Sequence, residues 1–215
     1  MDSGLSCLEC AKYACEFPDE QQPAHCSQDA LDEEVRQHVK ALYDDPENRA
    51  LMAAAAKVSD RTRYNTRVED TMKFAKLIGA RKIGIATCTV LVPESRILGR
   101  LLERAGFEVA GIACKVDSNR REDLGLENPE GKTNVLCNPI MQAELLNRAG
   151  TDLNIVMGLC VGHDALFGKY SEAPVTTLVT KDFITGNNPC AALYASKGVH
   201  RRRLDETIES LGQLS

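Results

Sequence analysis

Two different hydrophobic periods run along the chain, the first typical of helices and the second of a sheet. Between positions 31 and 42 the apolar residues recur at helical spacing, which predicts an amphipathic helix. A second helix is predicted from Pro46 to about Val58, because the preceding aspartate offers a cap and proline suits the first helical position. Thr66 and Glu69 match a capping box and predict a third helix that ends at Gly79.

From residue 82 onward, short apolar runs alternate with helical patterns. The predicted strands are 82–88, 107–114, 133–137, 153–159 and 175–180. The predicted helices lie near 93–106, 139–150, 162–169, from 189 onward and over 203–212. This alternation predicts an α/β fold with three layers, α/β/α, around a mainly parallel sheet of about five strands.

Four cysteines close successive predicted strands at nearly even spacing, 26, 23 and 23 residues apart. They are Cys88, Cys114, Cys137 and Cys160. Parallel strands end at one edge of a sheet, where open α/β folds place their sites and where helix N-termini favour thiolates. We therefore predict a second thiolate site there for zinc or an iron–sulfur cluster. The alternative is that each cysteine is a small buried hydrophobic side chain.

Other polar residues follow the same strands. His163 and Asp164 lie one turn beyond Cys160 and are candidates for a metal ligand with its outer partner, or for a proton-donating pair. The alternative for His163 is a helix-capping or hydrogen-bonded core histidine. Candidate cofactor-binding residues are Lys115, Asn138 and Lys181. The lysines at this edge are candidates for binding an anionic group, and the alternative is that they are strand-end charges that reach solvent. Cys190 falls in the first turn of a predicted helix and is expected to be buried as a small side chain.

A first cysteine cluster precedes the sheet, in a segment without apolar periodicity. Its members are Cys7, Cys10, Cys15 and Cys26, with His25 as an alternative fourth ligand. Two thiolates at C-x2-C spacing can grip one ion, and two further cysteines complete a tetrahedral set. Residues 1–28 are therefore predicted to form a metal knuckle for zinc or an iron–sulfur cluster, followed by one α/β domain with a helical N-terminal extension over 29–215. The alternative is a loose tail of free thiols.

Composition limits the partners. The net charge is −5 and tryptophan is absent, which argues against nucleic-acid binding by bulk electrostatics or base stacking. No signal-peptide pattern opens the chain and no apolar run approaches the roughly 18 residues of a membrane span, so no membrane contact is expected. A reducing, cytoplasmic location is expected, and there clustered cysteines favour metal binding or catalysis over disulfides. The oligomeric state is not predicted.

Three segments together resemble a known family. They are the N-terminal C-x2-C-x4-C with P-x2-C, the stretch LCNPIMQAELLNRAGTDLNIVMGLCVGHDALFGKYSEAPVTTLV, and KDFITGNNPCAALY. They look like an uncharacterised, cysteine-rich prokaryotic family, a domain of unknown function whose members are labelled metal-binding proteins. The resemblance covers nearly the whole chain and implies metal binding. It extends to the eight cysteines of both clusters and to His163, whereas Asn187 stands where the resemblance implies a histidine.

Two functions follow from these patterns. The first is metal binding at both cysteine clusters, in the service of electron transfer or metal handling, with a redox partner or a small anionic ligand. The second is an enzyme that uses an open-coordination cluster, or a reactive cysteine at Cys160 or Cys137, on a small anionic substrate.

Overall fold

The computed structural model describes residues 7–17, 19–23, 26–60 and 63–213. The chain divides into two compact units, Met1–Lys57 and Val58–Ser215. Within the described residues the α-helices are α1 (Glu33–Asp44), α2 (Pro46–Ser59), α3 (Arg67–Leu77), α4 (Val92–Arg104), α5 (Pro139–Arg148), α6 (His163–Tyr170), α7 (Cys190–Tyr194) and α8 (Arg201–Ser210). The strands are β1 (Lys82–Thr87), β2 (Glu108–Ala113), β3 (Asn119–Arg120), β4 (Val135–Leu136), β5 (Leu153–Met157) and β6 (Val175–Val179).

The first unit contains short 3-10 turns, then α1 and the greater part of α2. The side chain of Asp32 accepts a hydrogen bond from the backbone N–H of Val35 and caps α1, which lies where the helical spacing predicted it. No residue of α1 is buried.

The second unit is built on four parallel strands in the order β2-β1-β5-β6. Helices α3 and α4 pack one face through Ala75, Leu98 and Leu102, which join the odd-numbered apolar residues of β1 and β5. Helices α5 and α6 cover the other face through Leu146 and Phe167. The prediction of an α/β fold with a three-layer, mainly parallel arrangement is thus confirmed.

One predicted strand does not join the sheet. Residues Val135–Leu136 form β4, which pairs antiparallel with β3 in a separate two-stranded ribbon, so the parallel sheet has four strands rather than about five. A parallel strand covered on both faces needs a longer apolar run than this one. Here polar residues precede only two aliphatic positions, and Val135 remains 40% exposed.

None of the helices described in the structure is long and apolar enough to cross a membrane.

Candidate functional site

The order of the parallel strands creates a crevice at the carboxyl edge between β1 and β5. The connection that leaves β1 leads to β2 on one side, whereas the connection that leaves β5 leads to β6 on the other. Such a switch point is the usual ligand site of open α/β sheets. Cys88 directly follows β1, and its backbone N–H donates to the carbonyl of Met157 at the end of β5 at 3.0 Å. Cys160 lies three residues beyond β5.

Lys181 links the two cysteines of this crevice. Its Nζ lies 2.8 Å from Sγ of Cys88 and 3.1 Å from Sγ of Cys160. Because the lysine follows β6, the ends of three neighbouring strands each contribute a side chain to this contact. The structure thus places Lys181, which the sequence suggested as a site for an anion, against two sulfur atoms.

The remaining two cysteines extend the chain of sulfur contacts. Cys114 follows β2 and packs in the same buried cluster as Cys88, and its backbone N–H donates to the carbonyl of Thr87 at 2.8 Å. The Cys137 thiol donates to Sγ of Cys114 at 3.4 Å. Although β4 is outside the sheet, the backbone N–H of Asn138 donates to the carbonyl of Cys114 at 2.9 Å and holds Cys137 beside the end of β2. All four predicted cysteines therefore meet at one edge, in the order Cys160, Lys181, Cys88, Cys114, Cys137.

The ionisable groups along this row of cysteines differ in how their pKa values are shifted. Burial favours the neutral thiol of Cys88, but the hydrogen bond and positive charge of Lys181, the backbone N–H of Val90 and the Cys114 thiol together lower the pKa of Cys88 below its ordinary value. Burial lowers the pKa of Lys181, yet its contacts with the two sulfur atoms outweigh this and raise it. Burial and the neighbouring Cys114 raise the pKa of Cys137 to about 11. The site therefore sets a cysteine of lowered pKa against an ammonium at one end and keeps a neutral thiol, Cys137, at the other.

His163 begins α6 close to this charge pair. Burial, with the positive charges of Lys181 and Lys115, lowers the pKa of His163 and so favours the neutral imidazole. Its Nδ1 is buried, and no hydrogen-bond partner for it is found in the part of the chain that the structure describes. Asp164 instead accepts from the backbone N–H groups of Gly162 and Ala165, which is a local role at the start of the helix.

Two predicted cofactor-binding residues make structural contacts. The Nζ of Lys115 donates to the carbonyl of Val135 at 2.8 Å and ties β4 to the end of β2. The amide of Asn138 accepts from the N–H of Met141 as the cap of α5 and donates to the carbonyl of Asp117 at 2.7 Å. Their roles toward a ligand stay predictions.

Asn187 also has a local structural role. Its φ of 65° lies in the left-handed region, which asparagine tolerates better than most side chains, and its amide oxygen accepts from the N–H of Asp182 at 3.1 Å. It thereby closes the loop that follows Lys181. By contrast, Cys190 is exposed, so the expectation of a buried side chain was wrong. The helix that it begins has five residues and buries none of them.

Gln142 and Gly158 support the site without having been singled out from the sequence. Gln142 is fully buried, and its Nε2 donates to the carbonyls of Thr87 and Ile112, at the ends of the strands that Cys88 and Cys114 follow. Gly158 has a φ of +63°, and a Cβ there would collide with Leu91. A glycine inside the predicted strand 153–159 was the only available signal.

The N-terminal cysteines are only partly brought together. The N–H of Cys10 donates to the carbonyl of Cys7 in a turn, and Sγ of Cys7 lies 3.4 Å from Oγ of Ser27, next to Cys26. Cys15 is exposed, and His25 lies outside the described residues. Over 7–17, 19–23, 26–60 and 63–213, no group of three or more His, Cys, Asp or Glu side chains has a metal-holding arrangement. Metal binding at either cluster stays a prediction.

A separate groove of about 440 Å³ lies between α4 and β2, on the face of the sheet that α4 covers. Its walls include Arg96, Arg100 and Glu103, and none of the four cysteines lines it. The chemistry at the edge is therefore distinct from this groove.

Comparison with known proteins is consistent with the resemblance read from the motifs. A family model described as "Protein of unknown function (DUF1847)" matches residues 26–178. The uncharacterized protein MJ0455 of Methanocaldococcus jannaschii is 37% identical over 193 residues, which cover 88% of this chain and 94% of that protein. The family match includes the four cysteines at the sheet edge and, of the N-terminal set, Cys26 alone. The chain belongs to this DUF1847 family.

Proposed function

We propose that the protein binds a thiophilic metal at the carboxyl edge of its sheet. The proposed ligands are Cys88, Cys114, Cys137 and Cys160, and the metal is zinc or the iron of an iron–sulfur cluster. The observation that carries the proposal is the convergence of all four side chains at one edge. Lys181 contacts Cys88 and Cys160, Cys137 contacts Cys114, and Cys114 packs in the same buried cluster as Cys88. Thiolate sulfur is the preferred ligand of both zinc and iron–sulfur clusters.

The contact with Lys181 supports this function because it lowers the pKa of Cys88 and so favours the thiolate, the form that metals bind. Lys181 stabilises negative charge on Cys88 and contacts Cys160. A metal cation bound to these sulfur atoms would supply the positive charge that the Lys181 ammonium supplies without it. The sulfur atoms of Cys114 and Cys137 are 3.4 Å apart. Two thiolates on a tetrahedral zinc ion with Zn–S bonds of about 2.3 Å are about 3.8 Å apart, so a small adjustment suffices.

The N-terminal cysteines form the second proposed metal site, with Cys7, Cys10, Cys15 and Cys26 as ligands. The turn between Cys7 and Cys10 and the proximity of Cys7 to Ser27 support it. With two sites, the protein serves electron transfer or metal handling in the cytoplasm, where these thiols stay reduced.

An enzyme with a reactive thiol is the rival function, and one observation favours it. Among the four cysteines at the edge, Cys88 combines a lowered pKa with an ammonium in contact, which is the environment of reactive thiolates. Cys137 is the weaker candidate, since its pKa of about 11 keeps it protonated at neutral pH.

Metal analysis on matched variants tests the proposal. The protein is purified anaerobically, and its zinc, iron and visible spectrum are measured beside a Cys88→Ala/Cys137→Ala variant and a Cys190→Ala control. Cys190 is exposed and belongs to neither cluster. We expect the double variant to lose the metal or spectrum of the sheet-edge site and the control to keep it.

A Cys7→Ala/Cys10→Ala variant assigns what remains to the N-terminal site. If the double variant at the sheet edge retains all of the wild-type metal, the proposed site is wrong and the reactive-thiol function takes its place. If wild type contains no stoichiometric metal, both metal sites are wrong.

A further inference from the structure

We propose that the metal-free thiol site reduces hydrogen peroxide and small organic hydroperoxides through a relay of Cys88, Cys114 and Cys137. The juxtaposition of three sulfur atoms in sequence, with an ammonium at the first, carries the proposal. This activity goes beyond the metal site and does not require it.

The contacts give the relay a direction. Cys88 and Cys114 are 5% and 2% exposed, whereas Cys137 is partly exposed. Cys114 packs in the same buried cluster as Cys88, and its backbone N–H donates to the carbonyl of Thr87, directly before Cys88, at 2.8 Å. On its other side, the Sγ of Cys114 accepts from Cys137 at 3.4 Å. An oxidised sulfur formed at the buried end can therefore be passed by exchange to the accessible end, where an external thiol can reduce it.

The first step oxidises Cys88. Its thiolate attacks one oxygen of the peroxide, the O–O bond breaks, and Cys88 becomes a sulfenic acid. The other oxygen leaves as water, or as an alcohol from an organic hydroperoxide, after it takes a proton from the Lys181 ammonium. That ammonium lies 2.8 Å from the sulfur. The buried position of Cys88 restricts this step to small oxidants.

The second and third steps move the oxidation outward. The Cys114 thiol condenses with the sulfenic acid, which forms the Cys88–Cys114 disulfide and releases water. The sulfur of Cys137 then attacks that of Cys114, Cys88 leaves as a thiolate, and the proton of Cys137 returns to Lys181. In sum, one peroxide oxidises the thiols of Cys114 and Cys137 to a disulfide. Hydrogen peroxide yields two molecules of water, and an organic hydroperoxide yields one water and one alcohol. An external dithiol completes the cycle by reducing this disulfide.

Peroxide consumption by metal-stripped, full-length protein with dithiothreitol as the reductant tests the activity. We expect Cys88→Ser to lower the rate by about tenfold or more, because serine provides no thiolate at neutral pH. Cys190→Ala retains the wild-type rate. Circular dichroism and thermal unfolding of each variant confirm that it is folded.

Peptide mapping after one equivalent of peroxide tests the order of the relay. We expect the Cys114–Cys137 disulfide in wild type and the Cys88–Cys114 disulfide in Cys137→Ser. In Cys114→Ser we expect a sulfenic acid at Cys88, trapped by dimedone. Equal rates in wild type and folded Cys88→Ser would overturn the proposal. A covalent Cys88–Lys181 product, or disulfides confined to the N-terminal cysteines, would also overturn it.

The relay and the metal site fail independently. Metal content is measured on the reduced, untreated protein, whereas peroxide reduction is measured after chelation. If the protein binds no metal but forms the disulfides in the expected order, the metal site is wrong and the relay is supported. If it binds metal but its rate of peroxide reduction does not depend on Cys88, the relay is wrong and the metal site is supported.

Discussion

At the scale of single residues, the site depends on how tightly one lysine is held between two cysteines. Lys181 contacts Cys88 and Cys160, which come from strands that are neighbours in the sheet but 72 positions apart in sequence. The sequence placed these residues at one edge. Their pairing into a thiolate and an ammonium depends on side-chain distances that strand periodicity does not determine.

Replacement of Lys181 by Met tests this pair. Because the ammonium lowers the pKa of Cys88, thiolate absorbance in the ultraviolet develops at lower pH than for an ordinary thiol of pKa 9.0. We expect Lys181→Met to shift the Cys88 component, measured as the difference from the corresponding Cys88→Ser protein, to higher pH. An unchanged titration would contradict the pairing.

Gly158→Ala tests the close approach behind the two cysteines. A methyl group at position 158 meets Leu91, and the residue must keep a left-handed φ of +63°. Gly150→Ala is a matched control, since Gly150 has the same φ and a methyl group there would meet no atom within 4 Å. We expect backbone strain to lower the free energy of unfolding of both variants by about 1 kcal/mol. Overpacking against Leu91 should lower that of Gly158→Ala by about 1–3 kcal/mol more. Urea unfolding measures the difference, and equal losses would exclude the collision.

At the scale of elements, α5 carries the connection between the sheet and the thiols. Its amino end is capped by Asn138, directly after Cys137, and Gln142 reaches from its first turns to carbonyls of β1 and β2. The sequence predicted this helix from Asn138-Pro139 and Gly150. It did not reveal that a polar side chain of the helix would be fully buried, since glutamine is usually exposed.

Gln142→Met tests this link. The substitution keeps the length of the side chain but removes both N–H donors, so we expect the free energy of unfolding to fall by about 1–3 kcal/mol. The control is Glu144→Met on the same helix, which removes an exposed ion pair with Arg148 and is expected to cost about 0.5 kcal/mol or less. Similar losses in the two variants, measured by urea unfolding, would show that the buried amide does not support the sheet.

At the scale of the whole second unit, the two edges of the sheet have different roles. The carboxyl edge holds the thiols, and the opposite edge is clamped by Asp152. Its Oδ2 accepts from the backbone N–H groups of Lys82 and Arg81 at 2.8 and 2.7 Å. This clamp joins the connection before β5 to the start of β1 and involves none of the residues of the site.

Acid unfolding of Asp152→Ala tests the clamp. The hydrogen bonds from Lys82 and Arg81 lower the pKa of Asp152 below its ordinary 3.8, so its stabilisation is complete above that pH and is lost as the pH falls through the lower, folded-state value. We expect the variant to be about 1 kcal/mol less stable than wild type at neutral pH. The difference should shrink below pH 3.8, and a difference that is constant from neutral to acid pH would contradict this assignment.

The sequence by itself determined the α/β class, the order of most elements and the edge at which the cysteines meet, because hydrophobic period and caps are local properties. It failed for 133–137, whose two aliphatic residues are too few for a strand covered on both faces. Only the tertiary structure decided that Lys181 contacts two sulfurs, that Cys137 reaches Cys114 from outside the sheet and that Gln142 is buried. Those contacts join residues distant in sequence, and their distances follow from strand order and packing rather than from local pattern.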